Sequence, residues 1–570
     1  MRRIARGFVL LISLFGGAAL AQDPLPAVRE KLRVEFAGLA GSRKVPGLSV
    51  ALVVDGQVRW IESFGHADRA SRRALGNDTR HALGDLSKPF IAALALQLAA
   101  AGKLEPQAPV TRYLPDLQIA GGEMQAVSLD RLLSHHAGLP PNQLAGMYRE
   151  AGQPAPARSP PAEALYFTQP PGTSYAYSNI GMELAAQALA AAGGAGYAQL
   201  LQDRVLTPLG LDGAGFVPRE DDARGHRKGR PVAPLLAREQ AALGLRASIA
   251  DLARFAANLT AAEPAVDLAA LFRTYNGDSV LDLDYRNGLA FSLFADQRNE
   301  VGTVARLVSE FPGFRGRLDV ALRQRVAVIV LANGDEAGEA VNESTDRLLD
   351  AWLQAAHGIA PRQRNATLPE VGEWPGAAQR DSPARYYSSA AGLIALTPDG
   401  EDLDVRVLGL RLRAERRADG WYRLHLRLLG LPLDLGPLRR ILVAPAVLAE
   451  RRVLMLWSAR RRFLIGTAWQ PPALDASFQA LAGSYKLLNP DRLSGELGIA
   501  GMRLELQDGV LCATYPLDMP LLEARVPLQP EGPDILRVPG LGWATGERLR
   551  VERGGGRVRL HYSGYVFEHE

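Results

Sequence analysis

One cysteine, Cys512, stands in a chain of 570 residues. No intrachain disulfide is possible, so packed apolar cores must hold the fold. Lysine is almost as scarce. The six are Lys31, Lys44, Lys88, Lys103, Lys228 and Lys486, and the rest of the positive charge is arginine. Neither sign of charge dominates. Residues 1–21 carry Arg2, Arg3 and Arg6 and no acid, so removing them takes a formal +4 to +1. A nearly neutral chain argues against nucleic acid as a partner, and the basic cluster at 224–230 reads as a solvated loop. Beyond residue 21 no apolar run approaches the roughly 18 residues that a membrane span needs. No HExxH is present and no ligand pair accompanies His135 and His136 at useful spacing. Neither a metal nor any other cofactor is called for, and those two histidines read as packing and loop hydrogen-bonding residues.

What is present is apolar mass. At 47% hydrophobic residues the chain can fill the cores of two to four domains. Residues 1–21 read as a secretory signal peptide, with an arginine-flanked apolar run from Phe8 to Phe15 and a small-residue ending at Ala19-Leu20-Ala21. The expectation is a periplasmic or secreted bacterial protein.

The chain is organised around HALGDLSKPFIAALALQLAAAGK, residues 81–103. From Pro89 to Ala101 only Gln97 interrupts the apolar run, so this helix is buried on all sides. Pro89 is tolerated only in a first turn, which predicts a helix start near Asp85 or Leu86. Asp85 and Lys88 then share one face at the mouth of a buried helix. There Asp85 is expected to accept the orphan N–H groups of its own helix and to pair with Lys88.

Other stretches line up around it. GLSVALVVDG and QVRWIESFGHAD read as a hairpin turning at Asp55-Gly56. VSLDRLLSHHAGLPP (127–141) precedes an Ala/Pro/Gly-rich stretch, 142–165, that reads as a lid-like excursion. PPGTSYAYSNIGMELAAQALAAAGG places Tyr177-Ser178-Asn179 just before a helix. ALGLRASIADLARFAANL leaves Arg246 free to reach the cleft or solvent. Pro312-Gly313-Phe314 precedes RVAVIVLANGDE, a strand. Residues 359–384 read as a linker. After them come short alternating strands such as DLDVRVLGLRLRAER and GRVRLHYSGYVFEH, which is β-sandwich or β-barrel text.

Taken in order, these segments resemble the serine β-lactamase-related superfamily of class C β-lactamases, DD-carboxypeptidases and esterases. GDLSKPFIAALALQLAAAGKLEPQAPVTRYLPDL resembles its nucleophile helix, Tyr177-Ser178-Asn179 its Tyr-x-Asn motif, and LAGSYKL (481–487) the opening of the lipocalin-like domain often appended. The resemblance implies an α/β (α+β) fold: an antiparallel sheet flanked by helices with a helical lobe, followed by C-terminal antiparallel β domains. The expected limits are 22–358 for the β-lactamase-related domain, 359–384 for the linker, and 385–475 and 476–570 for two β domains. In such a frame Lys88 and Tyr177 would move protons, and Asn179 would bind the substrate.

The resemblance breaks at two places. The nucleophilic serine of Ser-x-x-Lys falls on Asp85, and no lysine in the chain has a serine three residues before it. Ser87 adjoins Lys88 and diverges from it by roughly 100° on a helix. The third motif, Lys-Thr-Gly or His-x-Gly, falls on Leu307-Val308-Ser309, so its cation and its glycine are both missing. Arg306 and Arg315 are the nearby cations left to substitute.

The leading expectation is therefore a catalytically degenerate member acting by binding or regulation in the cell envelope. Its partner would be a peptidoglycan peptide, a small ester or amide, or an envelope protein. One alternative is an active hydrolase of esters, peptides or β-lactam-like amides in which Asp85, Lys88 and Tyr177 activate water. The other is a scaffold whose C-terminal β domains bind a partner.

Overall fold

The computed structural model describes residues 23–570 apart from 155–158, 364–373, 375–377, 429–430, 434–439, 459–460, 517–521 and 543. The expected signal peptide lies outside the described residues.

The hairpin forms as its sequence dictates. Gly47–Val54 and Gln57–Asp68 pair antiparallel across Asp55 (φ 51°) and Gly56 (φ 76°), the left-handed pair that a tight hairpin requires. Gly47–Val54 also pairs with Val326–Ala332, so the two ends of the domain meet at the middle of an eight-stranded sheet. Both central strands are buried along their whole length. That explains why GLSVALVV and VAVIVLA show no alternation: both faces need apolar side chains. On one face Val50, Leu52, Val328 and Val330 join helices Leu25–Leu39 and Gly338–His357. On the other, Ala51, Val53, Ala327 and Ile329 meet the Lys88–Ala100, Asn179–Gly193 and Ile249–Thr260 helices.

The organising helix departs from expectation at its start. Gly84–Ser87 is a 3₁₀ turn and the α-helix proper runs Lys88–Ala100. Pro89 therefore sits at the second α-helical position, where its missing N–H costs nothing.

Among the described residues the C-terminal part is mainly β, with two short helices at Ala476–Gln479 and Arg492–Leu497, and its pairings close two rings of eight antiparallel strands. In the first, Tyr386–Ser389 pairs at one edge with Gly392–Asp399 and at the other with Arg461–Ala468. In the second, Gly483–Leu487 pairs with both Gly501–Gln507 and Tyr565–His569. Side chains fill both interiors: Tyr387, Ile394, Leu403 and Leu412 in one, Tyr485, Leu511, Leu536 and Phe567 in the other.

Both rings press on the first domain. Leu281 and Leu283 pack with Trp421, Met455 and Trp457, and Asp284 pairs with Arg462 at 2.7 Å. The stretch at 142–165 is held down. It contributes strand Tyr148–Glu150, paired with Leu235–Ala237, and its Leu144, Ala145 and Gly146 N–H groups donate to Ser563 and Asp491 of the second ring. Residues 155–158 of that stretch lie outside the described residues.

Candidate active-site cleft

The sheet and the helical lobe leave a cleft of about 240 Å³. Asp85, Lys88 and Tyr177 lie on its floor, and Tyr175, Tyr285, Phe291, Phe294, Leu307 and Val308 form much of its wall. Four expected site residues converge here. Lys88 Nζ donates to Asp85 Oδ1 and lies 3.0 Å from the Tyr177 hydroxyl. Tyr177 donates to Asp85 Oδ1 at 2.5 Å, and Asn179 Oδ1 stands 3.0 Å from the same hydroxyl. The Asn179 amide donates to Asn142 Oδ1 at 2.8 Å.

Asp85 does not cap its own helix, contrary to the expectation from sequence. Its second oxygen, Oδ2, instead accepts the backbone N–H of Glu310 on the neighbouring strand at 3.1 Å. The reason lies in the 3₁₀ turn and in Gly84. Residue 84 has φ +52°, and a Cβ there would fall 2.6 Å from the Glu310 carbonyl oxygen. The close approach of turn and strand needs glycine and brings the Glu310 N–H within reach of Asp85.

Burial dominates the electrostatics. It pushes the Asp85 carboxyl up, but the Lys88 ammonium and the hydrogen bonds from Lys88, Tyr177 and Glu310 outweigh it and hold the group below its ordinary value. Lys88, wholly buried, is pulled down by desolvation more than Asp85 restores it. Tyr177 is driven well up, by burial and then by the Asp85 charge. The tyrosine stays a neutral donor, and the carboxylate is the one anion of the cluster.

The flanking residues have definite jobs. His135 (φ 61°) accepts the Ser178 N–H on Nδ1 at 3.0 Å, and burial with the nearby Lys88 charge holds it neutral. His136 bridges the Ser134 carbonyl and Asp282 Oδ2, at 2.8 and 2.7 Å. Both therefore brace the loop carrying Tyr177. Ser87 accepts the Leu245 N–H at 3.1 Å, away from Lys88 chemistry. Among the described residues no three His, Cys, Asp or Glu side chains converge to hold a metal ion.

At the place expected for the third motif, Leu307 and Val308 line the cleft and Ser309 turns inward. The Ser309 hydroxyl donates to the Leu83 carbonyl, tying the strand to the turn before Asp85. Arg306 reaches the cleft but is held by both oxygens of Asp319, at 3.0 and 2.7 Å. Arg315 turns away to Asp335 and the carbonyls of Phe311 and Phe314. Arg246 goes neither to the cleft nor to solvent: it is buried on Asp222 and the Leu235 carbonyl. Sequence reasoning missed Glu310, whose contribution is a backbone N–H and leaves no residue signature. It also missed Asn142, which follows Pro140-Pro141 directly.

A family profile described as Beta-lactamase matches residues 32–353. The chain belongs to the beta-lactamase family. Among its relatives are the "Beta-lactamase" of Escherichia coli (strain K12), 28% identical over 228 residues, or 38% of this chain and 57% of that one. Another is "Esterase EstB" of Burkholderia gladioli, 28% identical over 196 residues, or 32% and 49%. A third is "D-alanyl-D-alanine-carboxypeptidase/endopeptidase AmpH" of Escherichia coli (strain K12), 26% identical over 177 residues, or 30% and 46%. The chain spans about half the length of the curated relatives it matches. In fold it is similar to the crystal structure of SurE, with a TM-score of 0.54 at 21% identity, over 78% of this chain and 100% of that one. The octameric penicillin-binding protein homologue from Pyrococcus abyssi gives 0.50 at 19% identity, over 77% and 99%. In this chain Asp85, Lys88 and Tyr177 share a cleft between sheet and lobe.

Proposed function

We propose that this beta-lactamase-family chain is an exported protein of the cell envelope that has lost acyl-enzyme chemistry and acts by binding. The observation that carries the reading is the saturation of Asp85. Its Oδ1 takes Lys88 and Tyr177, and its Oδ2 takes the Glu310 N–H. A carboxylate at the position of the expected serine is a poor acyl acceptor, because attack on an amide or ester would give an anhydride. Its ion pair with Lys88 lowers its nucleophilicity further. The Glu310 backbone N–H, a donor of the kind that receives an oxyanion, is already engaged by an internal anion. Replacement of the third-motif glycine by Ser309 supports the same reading, since that hydroxyl is spent on the Leu83 carbonyl. The cleft itself persists, lined by tyrosine and phenylalanine, and suits a small peptide, ester or amide ligand carrying an apolar group.

The deciding experiment offers the purified full chain p-nitrophenyl esters, a D-alanyl-D-alanine peptide and a fluorescent penicillin. Neither turnover nor covalent labelling is expected, whereas the peptide should bind reversibly. Turnover that Asp85→Ala abolishes would overturn the proposal and make Asp85 the base of a water-activating hydrolase.

A further inference from the structure

Among the described residues, apolar side chains fill the interiors of both strand rings, where an eight-stranded barrel can otherwise hold a ligand. The space lies between them. A cleft of about 510 Å³ separates the outer face of the first ring from that of the second. It is pinned by the bridge from Gly392 to Arg525 and by the Glu523 N–H on the Leu408 carbonyl. The Gly392 bridge is tight, since a Cβ on Gly392 would fall 2.4 Å from the Arg525 carbonyl oxygen.

Register shows what this cleft presents. Tyr386 stands opposite Ala395, Ala395 opposite Arg406, and Arg406 opposite Arg411. One outward row therefore runs aromatic, small, cation, cation across four strands. Two like charges directly across a strand pair destabilise it unless something neutralises them. Arg411 has Asp404 at 2.6 Å. Arg406 has no carboxylate within ion-pairing distance among the described residues, nor does Arg385, which stacks over Tyr386 at 5.0 Å. The facing wall is apolar at its base: Val510 and Cys512 point out of the second ring yet are buried. Leu393 and Leu410 complete the apolar floor. The second ring's own cation in the cleft, Arg525, is already engaged by Glu505, Glu523 and Gln507.

We propose that the inter-ring cleft is a binding site for an amphipathic organic anion. Its head group sits on Arg406 and Arg385, and its apolar body lies against Leu393, Leu410, Val510 and Cys512. A cleft of this size takes a ligand of ordinary small-molecule dimensions. The charge complement selects an anion over its neutral or cationic counterpart, because guanidinium bonds to a carboxylate are the strong, charge-assisted kind. This site is separate from the Asp85 cleft and stands whether or not that cleft is catalytic.

The test uses the full chain and three probes below their micelle concentrations: dodecanoate, dodecanol and dodecyltrimethylammonium. Titration calorimetry should show dodecanoate binding in a one-to-one complex, about tenfold or more tighter than either counterpart. Arg406→Glu should weaken dodecanoate by about tenfold or more, as the lost charge-assisted contact requires. The Asp85 cleft variant Phe294→Ala should leave that affinity unchanged. Cys512, the only thiol in the chain, supplies a local readout. Burial raises it to about 12 and keeps it slow to react, and bound dodecanoate should slow its alkylation by a maleimide further. No dodecanoate binding, equal binding of dodecanol, or an affinity indifferent to Arg406→Glu would each overturn the proposal. Binding lost in Phe294→Ala but kept in Arg406→Glu would overturn it too, by placing the probe in the other cleft.

Discussion

The carboxylate of Asp85 and the backbone N–H of Glu310 lie 3.1 Å apart across the gap between a 3₁₀ turn and a sheet strand. This contact joins the two places where the sequence departs from the family pattern it otherwise resembles. Glu310 directly follows Ser309, and Ser309 closes the same gap through the Leu83 carbonyl. The cleft floor is thus internally complete, with an anion, a buried cation and a neutral tyrosine satisfying one another. That arrangement stabilises one geometry and leaves little unsatisfied potential for a reacting group.

Removing one member of the pair should show how strongly the arrangement is built. Asp85→Asn leaves Lys88, which has no exposed surface, without a counter-charge. Breaking a buried pair in this way costs about 3–5 kcal/mol. The double variant Asp85→Asn with Lys88→Met should recover much of the loss, because no uncompensated charge remains. Urea unfolding of the full chain measures both. A double variant as unstable as Asp85→Asn and Lys88→Met, each measured singly, taken together would show that the pair contributes no coupling. The pH dependence has a definite sign. The folded carboxyl lies below its unfolded value, so its contribution is present above the unfolded pKa and is lost as pH falls through the folded one.

His81 predicts a second acid-sensitive step. It is fully buried, edge-on to Phe314 at 6.1 Å. Burial depresses it from 6.5 to about 4. Between those values the unfolded chain binds a proton that the folded chain refuses, so stability rises with pH across this window. The full effect, reached below about pH 4, is on the order of 3 kcal/mol at 1.36 kcal/mol per unit. His81→Phe should flatten the slope of unfolding free energy between pH 4 and 6.5. An unchanged slope would place the titrating group elsewhere.

Much of this architecture was legible because it is written in side chains. The run from Pro89 to Ala101 announced a buried helix and Asp55-Gly56 a hairpin, and the family resemblance implied a shared site for Asp85, Lys88, Tyr177 and Asn179. The misreadings have a common cause. The position of Pro89 suggested a helix from Asp85, but the chain tightens to a 3₁₀ turn there, because Gly84 lets the neighbouring strand come close. Asp85 then finds its backbone donor across the gap and not along its own helix. Nothing in the identity of Glu310 could announce that bond, since it is made by the main chain. Arg246 and Arg315 were open for a related reason: an arginine in sequence carries no mark of which carboxylate it will meet. Asp222 and Asp335 decide them.

Gly84→Ala tests the close approach itself. With φ at +52°, an added Cβ would fall 2.6 Å from the Glu310 carbonyl oxygen and 2.7 Å from the Ser309 hydroxyl. The first of these is backbone and cannot swing aside. A loss of about 2 kcal/mol or more is expected from strain and overpacking together. Amide hydrogen exchange should show Glu310 less protected in this variant, because the strand must retreat from Asp85. Protection equal to that of the parent would mean that the gap is looser than the structure shows.

The strongest demand on the proposed function comes from rebuilding the chemistry. Asp85→Ser removes the internal anion and leaves Lys88 within reach of a new hydroxyl, with Tyr177 beside it at 3.0 Å. The Glu310 N–H then loses its acceptor and becomes available to an oxyanion. Without a nearby carboxylate Lys88 is depressed further by burial, which suits it to take a proton from the serine. This variant should form a covalent adduct with a fluorescent penicillin, seen as one added mass on the intact chain, where the parent forms none. Adding Leu307→His and Ser309→Gly should raise the labelling rate by about tenfold or more, since one donor in such a site is worth that much. An adduct that also forms on Asp85→Ala would place the reactive group at a residue other than the new serine. If none of the serine variants labels while all remain folded, the cleft has lost more than its nucleophile and its third motif.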